Sequence, residues 1–266
     1  MSVVQIKNVE PVLVERRGAV AVVTINRPDV NNAIDAAVRD GLARACDALM
    51  GDQAVRCIVF TGGGDEAFST GADPAEISSM LPAEAGHMAE RALDLYSRVA
   101  SLPQPTIAAI KGACVGQGLE LALHCDLRLA RTDARFGLPG VNVGLVASGA
   151  ALDLLGRTIG SGPAQALALT GGIIAAERAF MLGLVTNVAP VAEFAEALDQ
   201  ITDHISKLPP LAVGEVKRIL ALSRAGKPEE ARRAGVDAMR RCFEESEART
   251  RLRQLFGGRN PEATLH

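Results

Sequence analysis

Two glycine-rich turns and one glutamate hold the residues best placed to do chemistry. The first turn is Gly62-Gly63-Gly64, which continues through Phe68-Ser69-Thr70-Gly71-Ala72-Asp73-Pro74. The second runs from Gly112 to Gly118 and enters the segment Leu119-Glu120-Leu121-Ala122-Leu123-His124. A glycine turn at a helix start leaves backbone N–H groups without partners, and the helix dipole adds partial positive charge there. Two such amides, one from each turn, could converge on a carbonyl oxygen that gains negative charge during a reaction. Glu120 sits just inside the helix leaving the second turn, one helical turn from His124 on the same face. A carboxylate in so apolar a segment is costly to bury. It reads equally as an acid–base group or as a satisfied cap.

The same glycines also meet a phosphate-cradle pattern. Gly62 to Ala67 fits a relaxed GxGxxA after a strand, and Gly116-Gln117-Gly118 is a partial match. A dinucleotide fold needs a helix to open at those glycines. Here the first turn carries on through Gly71 and Pro74, which argues against a helix at Gly64 and against a nicotinamide-dependent oxidoreductase.

These turns must be held by strands and helices. Val12–Val14 and Ala19–Ile25 read as short strands around Arg17-Gly18, and residues 35–50 carry apolar positions at helical spacing. Arg56–Thr61 and Pro105–Ile110 read as extended, residues 84–101 as a helix, and Leu127–Ala130 as a strand. Alternating strands and helices with short joints predict an α/β fold with mostly parallel crossovers. From about residue 150 the strand signal fades, and residues 192–256 read as helices. Basic residues from Arg224 to Arg259 alternate with Glu229, Glu230, Asp237, Glu244, Glu245 and Glu247, which fits a solvated or subunit-contacting face better than a nucleic-acid arm.

Composition sets outer limits. An apolar fraction of 48% with 22% charged residues is that of a globular chain and excludes wholesale disorder. A net charge of -3 gives no global attraction to nucleic acid or anionic lipid, and a single Tyr with no Trp leaves little for base stacking. Pro11, Glu15, Arg16 and Arg17 interrupt the amino terminus before an apolar run can develop, so neither a secretory signal nor a membrane span is expected. The five cysteines (46, 57, 114, 125 and 242) form no CxxC pair, and the four histidines (87, 124, 204 and 266) show no ligand spacing. No metal site is expected, and a reducing cytoplasm is the simplest compartment.

Taken together, the segments resemble the crotonase (enoyl-CoA hydratase/isomerase) superfamily. The resemblance runs from about Val12 to Pro190 through TINRPDVNNAID, EAFSTGADPAEI, PTIAAIKGACVGQGLELALHCDLRLA, ARFGLPGVNVGL and AAERAFMLGLVTNVAP. It implies an α/β, crotonase-like spiral of ββα units, with an acyl-CoA-binding core over 1–191 and a helical oligomerisation region over 192–266. Homotrimers or homohexamers are expected. The substrate implied is an acyl-CoA thioester, with coenzyme A as part of the substrate and no other cofactor.

The resemblance also assigns residues. The backbone N–H groups of Ala72 and Gln117 match the oxyanion donors, although the family usually has glycine where Gln117 stands. Asn32, Ala33, Ala72, Asp73, Pro74, Ala75, Gly116 and Gly140 fall on segments lining the acyl and coenzyme A site. The family often carries lysine at the place of Ala75. Phe256 and Arg259 match an aromatic and basic pair near the adenine. Hydratases of the family carry two glutamates. The first is present as Glu120, whereas the second falls on Gly140, which can neither give nor take a proton.

Hydration of a conjugated thioester needs a held water, a proton for the α-carbon and stabilisation of the enolate oxygen. Loss of one positioned acid–base group typically costs about 10²–10⁴ in rate, so Glu120 alone predicts a weak or atypical hydratase. None of Asn142, His124, Asp153 and Asp126 substitutes convincingly, and each reads better as structural. A non-catalytic acyl-CoA-binding protein is the alternative.

Overall fold

The computed structural model describes residues 10–256. The chain begins with a hairpin, β1 (Val12–Arg17) and β2 (Val20–Ile25), followed by α1 (Ala36–Met50). Three similar units come next. The first is β3 (Cys57–Gly62), β4 (Ala67–Ser69), the short α2 (Pro74–Ile77) and the long α3 (Pro82–Ser101). The second is β5 (Thr106–Ile110), β6 (Ala113–Val115) and α4 (Gln117–His124). The third is β7 (Leu127–Arg131), β8 (Arg135–Gly137) and α5 (Gly149–Ile159). Then follow α6 (Ser161–Thr170), β9 (Ile173–Ala175), α7 (Ala176–Met181), β10 (Asn187–Ala189) and α8 (Phe194–Ser206).

Each unit contributes one strand to each of two sheets, which is the ββα spiral. The six-stranded sheet has the order β1-β2-β3-β5-β7-β10, parallel except for the β1–β2 hairpin. The four-stranded sheet has the order β4-β6-β8-β9, parallel except for β8–β9.

Strand alternation divides the core. Val23, Ile25, Ile58, Phe60, Ala108 and Ile110 pack into the main core with residues of α1, α3 and α4. Val22, Cys57, Val59, Ile107 and Ala109 face the other way, where Phe194, Ala197, Leu198, Ile201 and Ile205 of α8 cover them. A central sheet buried on both faces explains why its strands read as continuous apolar runs. The first compact unit extends through Ser206 and includes α8, the layer that closes this face.

The second compact unit starts at Lys207. It contains α9 (Pro210–Arg224), α10 (Pro228–Glu244) and α11 (Ser246–Phe256). Glu215 of α9 pairs with Arg218 and with Arg241 of α10. Arg232–Glu229, Arg240–Asp237 and Arg251–Glu247 are local pairs along the helices, so the basic run is interleaved with its own counter-charges. No helix among the described residues is long and apolar enough to cross a membrane.

Candidate active site

The two glycine turns meet. Ser69, fully buried at the end of β4, accepts the N–H of Gly71 on its Oγ at 3.1 Å. Ile34 donates to the carbonyl of Gly71 at 2.7 Å, and its own carbonyl accepts from Asp73 at 3.1 Å. These two bonds straddle Ala72 in a parallel bridge, so the N–H of Ala72 points away from Ile34. On the other side Gly116, at φ 53°, carries β6 into α4 and leaves Gln117 as the first helical residue. Its N–H is one of the first-turn donors that a helix cannot satisfy itself. Neither the Ala72 nor the Gln117 N–H donates to another group among the described residues.

Glu120 is the carboxylate on this helix. It is 5% exposed and lies three residues after Gln117, on the same side of α4. Its backbone N–H donates to Gly116 at 3.0 Å, which fixes the first turn. Its Oε2 accepts the N–H of Ser148 at 3.2 Å. Ser148 is the N-cap of α5, so the carboxylate also lies near the positive end of that helix. Burial raises the Glu120 carboxyl above the ordinary carboxylate range, and the hydroxyl and N–H of Ser148 pull it back only in part. The far end of α4 is clasped by buried Arg128, which donates to the carbonyls of Ala122, Cys125 and Leu184.

His124 is not a side-chain partner of Glu120. Its Nδ1 bonds the backbone carbonyl of Glu120 at 2.7 Å, and its ring stacks on Tyr96 with centroids 4.8 Å apart. Burial raises the Tyr96 hydroxyl well above its ordinary range; Glu120 adds to the shift and Arg39 opposes it. Tyr96 and Ser148 had no signal at the sequence level. One is a single aromatic in α3, and the other is a serine whose partner is 28 residues away.

Other residues singled out from the sequence have scaffold roles. Asn32, at φ 57° and 1% exposed, accepts from the N–H of Arg27 and donates to the carbonyls of Gly63 and Ala67. Its side chain therefore pins the first turn. Ala33 is buried, and its carbonyl accepts from Arg27 at 2.8 Å. Asp73 caps α2 through the N–H of Ala75 and pairs with Arg27 at 2.9 Å. Burial opposes its ionisation, but Arg27 and the α2 amides together hold its carboxyl below the ordinary range. Pro74 and Ala75 form the exposed first turn of α2.

Gly140 lies in a 3-10 turn, Pro139–Val143, and accepts the N–H of Leu145 at 2.8 Å. Asn142 packs against Gly171, Asp126 clamps Thr106, and Asp153 pairs with Arg157, so all three serve structure. Phe256, at the end of α11, is exposed, and Arg259 lies outside the described residues. The Gly62–Gly64 turn leads into β4 rather than a helix. No cluster of three or more His, Cys, Asp or Glu among the described residues could hold a metal.

A ββα spiral of two sheets defines a class of proteins. Known proteins agree. The enoyl-CoA hydratase/isomerase family model matches residues 15–258, and the chain belongs to this family, the crotonase superfamily. A short-chain-enoyl-CoA hydratase of Clostridium acetobutylicum is 34% identical over 202 residues, 76% of this chain and 77% of that protein. A crotonyl-CoA hydratase of Syntrophomonas wolfei is 33% identical over 77% of this chain and 78% of its own. The crystal structure of an enoyl-CoA hydratase from Bacillus anthracis superposes with a TM-score of 0.89 at 28% identity, covering 94% of this chain and 98% of that one.

Proposed function

We propose that the protein is an acyl-CoA enzyme of the hydratase type in which Glu120 is the one acid–base carboxylate. The observation that carries this reading is the placement of Glu120, enclosed and held by Ser148, on the same side of α4 as Gln117. The N–H groups of Ala72 and Gln117 would donate to the thioester oxygen and hold its charge as the enolate forms, each worth roughly 10²–10³ in rate. Glu120 takes a proton from water as the water oxygen bonds to C3. With Gly140 in the other family position, the same carboxyl must return that proton to C2. The elements of water are thereby added and Glu120 is regenerated. Hydration is preferred to isomerisation, which the family resemblance ties more closely to the missing carboxylate.

The coenzyme A portion is assigned to the segments of Asn32-Ala33, Ala72–Ala75 and Gly116. No further cofactor is required, because the thioester is itself the electron sink. We place the protein in the cytoplasm, with no nucleic-acid or membrane partner, as a homotrimer or homohexamer. Exposed apolar side chains at Val216, Leu220, Val236, Met239 and Phe243 support an oligomeric role for the helical region.

Gly140 favours one second reading, an acyl-CoA-binding protein that retains the pocket without the chemistry. The test is loss of the enoyl absorbance of crotonyl-CoA, with coenzyme A binding measured on the same samples. Turnover that vanishes in Glu120→Gln while binding persists supports the enzyme. An inert wild type that binds, with hydration gained in Gly140→Glu, supports the binder. The Gly140 backbone is not left-handed, but a Cβ there would meet the Leu145 carbonyl at 3.3 Å, so Gly140→Glu requires that loop to give by a few tenths of an ångström.

A further inference from the structure

Among the described residues, five side chains contain a buried nitrogen or oxygen with no hydrogen-bond partner: Arg39, Glu76, Gln104, Gln117 and Arg241. Four of them bond through another atom of the same group. Gln117 differs, since its carboxamide makes no hydrogen bond to any described residue and its Oε1 is enclosed. A buried amide oxygen left unpaired is destabilising, and native structures rarely keep one without a use. Covalent geometry narrows what that use is. Gln117 is the residue whose N–H would hold the thioester oxygen, so its side chain branches from that same first turn of α4. Glu120, three residues on, shares that side of the helix.

We infer that the Gln117 carboxamide holds the oxygen that becomes, or already is, the hydroxyl on C3 of the acyl group. This rests on the hydratase reading of the site and names a substrate determinant within it. A half-turn about the last side-chain torsion, which is broad and cheap for Gln, brings Oε1 out to accept one water proton while Glu120 takes the other. Held by both protons, the water presents a lone pair to C3. After addition, the remaining hydroxyl proton stays on Gln117. The ligand class singled out is the 3-hydroxyacyl thioester, over the saturated thioester of equal length.

The test is calorimetric binding of butyryl-CoA and of each enantiomer of 3-hydroxybutyryl-CoA to wild type, Gln117→Leu and Gln117→Gly. Leu keeps the backbone N–H and the bulk but removes the amide, and Gly is the residue the family usually carries there. Wild type is expected to bind one hydroxy enantiomer about tenfold more tightly than butyryl-CoA, one hydrogen bond's worth. Both variants should lose that preference, read as the ratio of the hydroxybutyryl-CoA and butyryl-CoA affinities measured on the same variant. A wild type without the preference, or variants that retain it, overturns the inference. Crotonyl-CoA turnover by the same wild-type sample separates the two claims. Turnover without a Gln117-dependent preference leaves the hydratase reading and removes this one. The preference without turnover leaves Gln117 as the hydroxyl-binding group of an acyl-CoA binder.

Discussion

A methyl group on Gly71 would stand 3.0 Å from the amide nitrogen of Gln117 and 2.8 Å from the carbonyl oxygen of Val115. Both neighbours are backbone, so no side-chain rotation relieves the approach. Gly71 also adopts φ +90°, where a side chain is strained. Gly116 faces it from the other turn at φ 53°, yet its own Cβ would meet nothing nearer than 3.7 Å. The two glycines thus separate steric approach from backbone strain.

Gly116→Ala should therefore cost about 1–3 kcal/mol, the penalty for a side chain in a sparsely populated positive-φ region, here φ 53° with ψ -130°. Gly71→Ala should cost more, and should lower crotonyl-CoA turnover about 10²-fold by displacing an amide donor. Thermal melts and kcat of the two variants side by side check this. Equal losses in both would show that close approach of the turns is not what shapes the site.

Ser148 controls the acid limb. If Glu120 must be ionised to accept a proton, kcat/KM rises with pH through its carboxyl, which burial holds above the ordinary 4.5. The Ser148 hydroxyl lowers that value, so Ser148→Ala should move the limb to higher pH. The variant also loses the α5 cap, where the hydroxyl accepts from Ala151 at 3.2 Å, at about 1 kcal/mol. A pH–rate profile with an unmoved limb would exclude Glu120 as the titrating base.

Glu120→Gln should abolish most turnover, by about 10²–10⁴, and yet stabilise the fold at neutral pH. The native carboxyl titrates above the unfolded one, so below the ordinary range both states are protonated and wild type bears no penalty. As pH rises through 4.5 and then through the higher native value, the cost of an enclosed charge grows to its full size. The melting temperature of wild type should fall behind that of the Gln variant over that window and stay behind above it. Differential scanning calorimetry across pH 4–8 measures it.

How much of this was visible in the sequence follows from contact range. Residues 35–50 and β2, β3 and β5 were legible because their apolar periodicity is local and runs for five residues or more. The strands β4, β6, β8, β9 and β10 were not: each has three residues, too few for alternation to register, and exists only through partners far along the chain. The stretch from Gly112 to Gly118, read as a turn, contains β6 for this reason. Glu120 and the two turns could be named from motif order. What fixes Glu120 could not, since Ser148 reaches it from 28 residues away through tertiary packing alone. The glycine at 140 was plain in the sequence, whereas the unpaired amide oxygen of Gln117 required coordinates.

The support behind Ala72 is an ion pair. Arg39 of α1 is 4% exposed and donates to Glu76 of α2 at 2.6 Å and to the carbonyl of Ile34, while Glu76 also accepts the N–H of Ala36. These bonds tie α1, the Ile34–Ala72 bridge and α2 into one block that carries Ala72. Glu76→Ala leaves the Arg39 charge enclosed and unmatched, a change that typically costs about 3–5 kcal/mol. Replacing both members with apolar residues of similar volume, Arg39→Met with Glu76→Leu, should cost much less, because no charge is stranded. The pair's role in placing Ala72 then appears in kinetics: the double variant should keep most of its stability yet show reduced kcat. A double variant as unstable as Glu76→Ala, or with undiminished kcat, would mean that the pair neither sets the electrostatic balance of this corner nor positions the donor.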